Sequence, residues 1–443
     1  VPKQDHLLWC PFLKAPLLGV YLTFPKALGL ERKREFICLG GETIMKQITE
    51  GVFYTGVLNP CMRVFDVIMR TEYGTSYNSY IVLGSEKTAA VEAAHLSFSD
   101  YYLDNILEAL GGRQLDYLIL NHCEPDHTGC INRLLDQFPN LTVVVSQAGS
   151  IYIKQIANRP LNLMVVKDGH TLELGGKTLR FINAPFLHWP DSMFTWLEQD
   201  KILFSCDFLG CHFCEPQVFD VCTVYDDQYW DALKYYYDCI FGPFQPYVRQ
   251  GLDKIKDLDI AFDCNSHGPI LTKDGKLSKV LELYRQWSAE NVRKQKHIPI
   301  FYVTAYGNTR NIANAIAQGI TETIPDAQVE CYNIIEHDMS MLTTLLNESD
   351  AFLVGSPTIN RDAVAPVWQL LAGIEAVNIQ KRPVAVFGSY GWSGEGVPNL
   401  AQRLTALKCK VWDEQFRVNF VPSEQDLENA VAFGKAFAES LSK

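Results

Sequence analysis

From Ile48 to about Ser288 the chain runs in short apolar or alternating segments, each followed by a stretch with helical spacing. Val64–Arg70 and Ser79–Leu83 are predicted as half-buried strands and Thr88–Ala93 as a third, because alternate side chains of an extended segment face opposite sides. Leu115–Leu120 is continuously apolar, as a buried strand requires, and ends at Asn121-His122; Thr128–Phe138 then has helical apolar spacing. Leu141–Val145, Leu179–Asn183 and Ile202–Ser205 are predicted as further strands, Asp227–Phe241 and Leu277–Ser288 as helices. Ala289–His297 is charged and poor in apolar residues, the composition of a linker.

The rhythm changes at Ile298. Strands are expected at Ile298–Val303, Gln328–Tyr332, Ala351–Gly355 and Pro383–Gly388, each ahead of a helical stretch. A last strand near Lys410–Phe416 leads into a C-terminal helix from Glu424. Regular βα alternation of this kind implies an α/β, doubly wound parallel sheet. The division expected is therefore residues 45–288, a linker at 289–297, and a second domain at 298–443.

Composition narrows the class. A chain of 443 residues can bury two cores, and 47% hydrophobic with 20% charged residues is an ordinary globular balance. A formal net charge of −12 without any Lys/Arg cluster excludes a phosphate-backbone partner. The thirteen cysteines are scattered, and Cys211 and Cys214 form a CxxC with no second pair to complete a zinc site. Mostly buried free thiols in a reducing cytosol are expected. Leu7–Leu30 is apolar but interrupted by Pro11, Lys14, Pro16, Pro25 and Lys26, too broken to span a bilayer. Gly40-Gly41-Glu42, just upstream of Met45, can be encoded by a purine-rich run like a ribosome-binding site. Residues 1–44 are thus expected to be translated leader, with an N-terminal extension as the alternative.

The strongest chemical signal is His122-Cys123-Glu124-Pro125-Asp126-His127, directly after a buried strand. Two carboxylates and two imidazoles crowded into one loop are costly to bury unless a cation neutralises them. His188 (in His-Trp-Pro-Asp-Ser), Asp207 and His267 (in Asn-Ser-His-Gly-Pro) each stand where an apolar strand gives way to a loop, a common place for ligands. His212 lies near Asp207 in sequence, where an unligated structural histidine is expected and a place behind the ligands is the alternative; His6, His95, His170, His297 and His337 stand alone.

The HxExDH motif with later His, Asp and His resembles the metallo-β-lactamase-type domain of flavodiiron proteins, an αββα sandwich. In zinc hydrolases of that fold the motif is usually HxHxDH; Glu124 replaces the middle His with a harder oxygen ligand that suits iron. The resemblance implies that His122, Glu124 and His188 bind one iron, Asp126, His127 and His267 the other, and that Asp207 bridges them. It also puts Tyr237, on the predicted helix carrying Tyr235-Tyr236-Tyr237, at the substrate pocket. Thr71–Tyr80, near where some members place an extra pocket histidine, contains none.

Thr304-Ala305-Tyr306-Gly307-Asn308-Thr309, between a strand and an amphipathic helix, looks like a flavodoxin phosphate loop, able to hold a phosphate at a helix N-terminus without Lys or Arg. Neither GxxxxGK[ST] nor GxGxxG is present, so a single phosphate, that of FMN, is expected. Ser356-Pro357-Thr358-Ile359-Asn360 and Ser389-Tyr390-Gly391-Trp392-Ser393-Gly394 leave the carboxyl ends of central strands, where ligands bind in such sheets. An exposed Tyr and Trp flanked by Gly suit a flat isoalloxazine.

Together the two motif sets imply FMN and two Fe in an oxidoreductase reducing O2 to water or NO to N2O. The resemblance further implies a head-to-tail homodimer or dimer of dimers. A separate donor, rubredoxin or a rubredoxin reductase system, is expected, because no rubredoxin-like CxxC pair follows the second domain up to Lys443. Two other readings stay open: a metallo-hydrolase with an accessory flavodoxin-like domain, and an electron-transfer module on a silent scaffold.

Overall fold

The computed structural model describes residues 46–67, 69–289 and 295–441. The expected leader, Met45 and residues 290–294 of the linker lie outside them. Two sheets face each other in the N-terminal half. The first has seven strands in the order Lys46–Thr49, Val52–Tyr54, Tyr80–Leu83, Thr88–Val91, Tyr117–Ile119, Thr142–Val145 and Asn162–Val165. It is antiparallel up to Thr88–Val91 and parallel beyond. The second has six, in chain order from Thr171–Glu173 through Thr178–Asn183, Met193–Leu197, Ile202–Cys206 and Phe262–Asn265 to Leu271–Thr272.

Between the sheets lies a core of Val82, Val91 and Val144 against Phe181, Met193 and Phe204. Each such side chain taken fully out of water contributes roughly 1.5–3 kcal/mol. Helices cover both outer faces: Tyr102, Ile106 and Leu134 sit in the core of the first, Leu233, Val248, Val280 and Tyr284 in that of the second. This is the αββα sandwich.

Its consequence is positional. Ile202–Cys206 and Phe262–Asn265 are parallel neighbours with Cys206 opposite Asn265, so the residues that follow them, Asp207 and His267, leave the sheet side by side. Loops from Tyr117–Ile119 and from the turn before Met193–Leu197 bring His122 and His188 to the same edge.

The third sheet is parallel, in the order Cys331–Asn333, Ile300–Tyr302, Phe352–Ile359, Pro383–Tyr390 and Lys410–Asn419. Both faces are buried, one by Ile312, Ile316, Phe433 and Phe437, the other by Leu342, Val367, Leu371 and Leu400. Strand order reverses between Ile300–Tyr302 and Phe352–Ile359, the switch point at which such sheets open a crevice for ligands.

Several elements depart from the sequence expectation. Val64–Arg70 is a hairpin, Val64–Phe65 against Met69–Arg70, not one strand, because Asp66 and Val67 take positive φ. The helix expected at Thr128–Phe138 is two pieces, Pro125–Thr128 and Ile131–Gln137. The helix expected at Asp227–Phe241 stops at Tyr236 and passes into a π turn, Tyr237–Phe241. Ser356–Ile359 and Ser389-Tyr390, expected in loops, continue the strands Phe352–Ile359 and Pro383–Tyr390.

Candidate diiron and flavin sites

His122, Glu124, His188 and Asp207 converge in one group, Asp126, His127 and His267 in a second beside it; within each, the donor atoms lie within 4.8 Å of one another. Asp207 faces both: its Oδ2 lies 3.3 Å from His188 Nε2 and 3.9 Å from His122 Nε2, its Oδ1 3.1 Å from His127 Nε2 and 3.3 Å from His267 Nε2. Glu124 Oε2 is 3.0 Å from His122 Nε2 and 3.4 Å from His188 Nε2, and Asp126 Oδ2 is 3.1 Å from His267 Nε2. Every histidine thus turns Nε2 inward.

Three of the imidazoles are fixed from behind at Nδ1. His122 faces Asp191 at 3.2 Å, His127 faces Glu92 at 3.5 Å, and His267 donates to the Ser76 carbonyl at 2.7 Å. The carboxylates behind them are held in turn: the Cys123 N–H donates to Asp191 and the Asn121 N–H to Glu92. Such partners set the tautomer and leave the Nε2 lone pair for a metal. Both Asp126 oxygens, Asp207 Oδ1 and His127 Nε2 are buried and meet only other members of this group, with no hydrogen bond from outside it. Orphaned donors of one chemistry aimed at one place fit a pair of hard cations. In the metal-free arrangement protons take that role. Burial opposes charging His122, yet hydrogen bonds to Asp191 and Glu124 outweigh it and push the imidazole up to about 10. His267, likewise opposed by burial, is raised to about 9 by Asp126 and Asp207.

Aromatic rings wall the site. Trp189 lies 5.0 Å from His122, and Phe241 and Phe244 lie 6.3 and 6.5 Å from His188. Tyr237, expected at the substrate pocket, is buried with its hydroxyl unpartnered. Its ring packs on Tyr284 and Trp287 at 5.0 and 4.9 Å, and the charges nearest its hydroxyl are Asp238 and Arg249. Tyr236 instead lies 4.9 Å from His212 and 6.3 Å from His267, and it senses Asp207 and Asp126. Neighbouring residues on a helix point about 100° apart, so only one of the pair can face the metals. His212, read from sequence as structural, is buried 4.9 Å from His267, with Nδ1 2.8 Å from Thr75 Oγ1 and Nε2 unpartnered. Glu92 and Asp191 were not singled out in the sequence. A carboxylate closing the apolar strand Thr88–Val91 was the available signal for Glu92, and Asp191 stands within His-Trp-Pro-Asp-Ser.

In the C-terminal half, the Thr304–Thr309 loop enters the helix Asn308–Thr323, whose cap residue Gly307 has φ +86° and offers no side-chain cap. The N–H groups of the first turn are therefore open to an anion. Thr304 Oγ1 is shielded and unpartnered, and Thr309 Oγ1 lies 2.9 Å from Ser389 Oγ. Ser356 Oγ accepts from the Val364 N–H, and Thr358 Oγ1 from the Gly396 N–H. Ala305 is exposed, and Tyr306 and Trp392 are 93% and 96% exposed, far more than isolated large aromatics of a domain surface need be. Asn360 and Gly394 turn their segments with positive φ, and Pro357, Ile359, Tyr390, Gly391 and Ser393 complete the two strand ends. An orphaned hydroxyl, an uncapped helix start and two free rings fit a flavin mononucleotide.

Comparison with known proteins agrees with both halves. Residues 75–268 match the family described as ODP family beta lactamase, and residues 300–434 match Flavodoxin. A flavo-diiron protein of Clostridium acetobutylicum is 50% identical over 397 residues, 89% of this chain and 99% of that protein. An anaerobic nitric oxide reductase flavorubredoxin of Pectobacterium atrosepticum is 33% identical, covering 76% of this chain and 65% of the relative. Among solved structures, rubredoxin oxygen:oxidoreductase from Desulfovibrio gigas superposes with a TM-score of 0.63 at 25% identity, covering 90% of this chain and 98% of that one. With a sandwich, a flavodoxin sheet and near full-length likeness to a named flavo-diiron protein, this chain belongs to the flavodiiron proteins.

Proposed function

We propose that this chain reduces O2 to water, NO to N2O, or both, at two irons held by the seven converging residues. His122, Glu124 and His188 hold one iron, Asp126, His127 and His267 the other, and Asp207 spans them. The observation that carries this reading is the placement of Asp207, each of whose oxygens faces a different half of the site. When bound, the irons supply redox chemistry and open coordination positions, and FMN supplies electrons. Zinc offers no redox chemistry, so a hydrolase would leave the flavin site without a purpose.

The protein's own part is to hold and shield. Nδ1 contacts from Asp191, Glu92 and the Ser76 carbonyl keep the imidazoles aimed. Trp189, Phe241 and Phe244 exclude water from the His122 and His188 side. Tyr236, buried beside His212 and His267, takes the pocket-tyrosine role expected of Tyr237. The Thr304–Thr309 turn and the helix start hold the FMN phosphate, while Tyr306 and Trp392 contact its ring.

A head-to-tail homodimer, alone or paired into a dimer of dimers, brings one chain's FMN to the other's irons, and a rubredoxin-type protein delivers the electrons. No helix among the described residues is long and apolar enough to cross a membrane, and a reducing cytoplasm suits the described cysteines, which are unpaired. The test is anaerobic stopped-flow of the reduced, iron- and FMN-loaded protein against O2 and NO separately. Rapid reoxidation by at least one gas is expected. Slow reoxidation by both at full cofactor occupancy would sink the assignment, and zinc-only metal content without flavin would favour the hydrolase.

A further inference from the structure

His212 belongs to neither group of converging donors, yet it stands against them. It lies in the loop that follows Ile202–Cys206, beyond Asp207. That loop is pinned on both sides of it: the Cys211 N–H donates to the His267 carbonyl and the Cys214 N–H to the Tyr73 carbonyl, each at 3.0 Å. Two glycines permit so close an approach. A Cβ on Gly210 would stand 2.9 Å from the His267 carbonyl oxygen, and one on Gly268 would stand 2.6 Å from that of Cys211. His212 is thereby held 4% exposed, its ring 4.9 Å from those of His267 and Tyr236 and 4.4 Å from that of Phe65.

One end of the imidazole has a partner. Nδ1 lies 2.8 Å from the hydroxyl of Thr75, itself wholly buried. The other acceptor within reach of that hydroxyl is the Ser76 carbonyl at 3.3 Å, which already receives the His267 Nδ1–H at 2.7 Å. The Thr75 proton therefore goes to the closer acceptor, His212 Nδ1. A neutral imidazole that accepts at Nδ1 carries its own proton on Nε2. That Nε2 is buried with no hydrogen-bond partner. A buried donor left unbonded is costly, so it calls for a reason beyond packing. Its neighbour Tyr236 also faces His267, at 6.3 Å. Two side chains able to donate thus stand together at one flank of the Asp126, His127 and His267 group.

We propose that His212 is a hydrogen-bond donor of the gas pocket: Thr75 fixes its tautomer, and Nε2–H donates to O2 or NO beside His267. Either gas gains negative charge as it is reduced. A donor already fixed in a water-poor site interacts more strongly with that developing charge than with the neutral gas, which is the condition for speeding the reaction. The role rests on the diiron reading above.

The test uses the full-length, FMN- and iron-loaded protein, reduced and given one NO per iron pair without oxygen, with the N–O stretch read by infrared spectroscopy. Iron content is measured first, because wild-type protein without an iron pair would defeat the diiron reading itself. His212→Gln sets an amide nitrogen near the place of Nε2, whereas His212→Asn sets one near the place of Nδ1. The asparagine variant should raise the N–O stretch and lower turnover about tenfold, the loss of one hydrogen bond to developing charge. The glutamine variant should keep the wild-type stretch. The reverse pattern, with asparagine matching wild type and glutamine shifted, would make His212 a brace for Thr75 and overturn the proposal. An unshifted stretch in both variants at full iron content would overturn it too, as would loss of iron from His212→Asn, which would make the residue a support of the metal cradle.

Discussion

Asp207, Asp191 and Tyr236 illustrate three degrees of visibility at the level of single residues. Asp207 was readable because a carboxylate immediately after a buried strand has few other reasons to be there. Asp191 stands three residues after a candidate ligand, yet its task depends on His122, distant along the chain and only 3.2 Å away in space. No periodicity encodes that contact. Choosing between Tyr236 and Tyr237 required the end of a helix to be placed to one residue, where sequence signals are weakest. Tyr236→Phe should lower turnover with O2 or NO by about tenfold, the loss of one positioned hydroxyl, with iron content intact. Tyr237→Phe should leave turnover within error. Steady-state assays on both variants decide the matter, and the reverse order of effects would restore Tyr237 to the pocket.

Larger units behaved unevenly. Long apolar runs such as Ile300–Tyr302 and Pro383–Tyr390 declared themselves, since a strand buried on both faces needs no alternation. The hairpin at Val64–Arg70 did not: its pattern suits one strand, and the reversal depends on left-handed backbone at Asp66 and at Val67, a β-branched residue that ordinarily avoids it. At the flavodoxin sheet, two of the three segments expected to hold FMN prolong strands. Their hydroxyls are consequently set by sheet geometry, with Ser356 opposite Gly388 and Pro357 opposite Ser389. Thr304 is the exception, in a free turn with its hydroxyl unpartnered. Thr304→Ala should weaken FMN binding by about ten- to a hundredfold, the contribution of a hydrogen bond to a charged group. Fluorescence titration of the flavin-free protein would read this, and unchanged affinity would remove Thr304 from the phosphate site.

For the molecule as a whole, metal and proton compete for the same imidazoles. His122 and His267 are raised from an ordinary 6.5 to about 10 and about 9 in the metal-free fold. Groups raised in this way stabilise the folded state fully below their unfolded value and cease to do so as pH climbs through the folded one. The metal-free protein should therefore lose thermal stability as pH rises from about 6.5 to about 10. Iron loading should abolish that decline, because the cation replaces the protons and binds better as they leave. Differential scanning calorimetry of both forms across this range would check it; parallel curves would mean that these histidines are not the groups being exchanged.

The Nδ1 contacts behind His122, His127 and His267 have an effect beyond aim. Imidazoles braced by protein alone do not wait for iron to organise them, so the cradle accepts whichever divalent ion reaches it first. Zinc lies above ferrous iron in intrinsic affinity for such donors. Metal supply during synthesis then decides between a working reductase and an inert look-alike of identical fold. Recombinant preparations grown in iron-poor medium will be correctly folded, yellow with flavin and mismetallated.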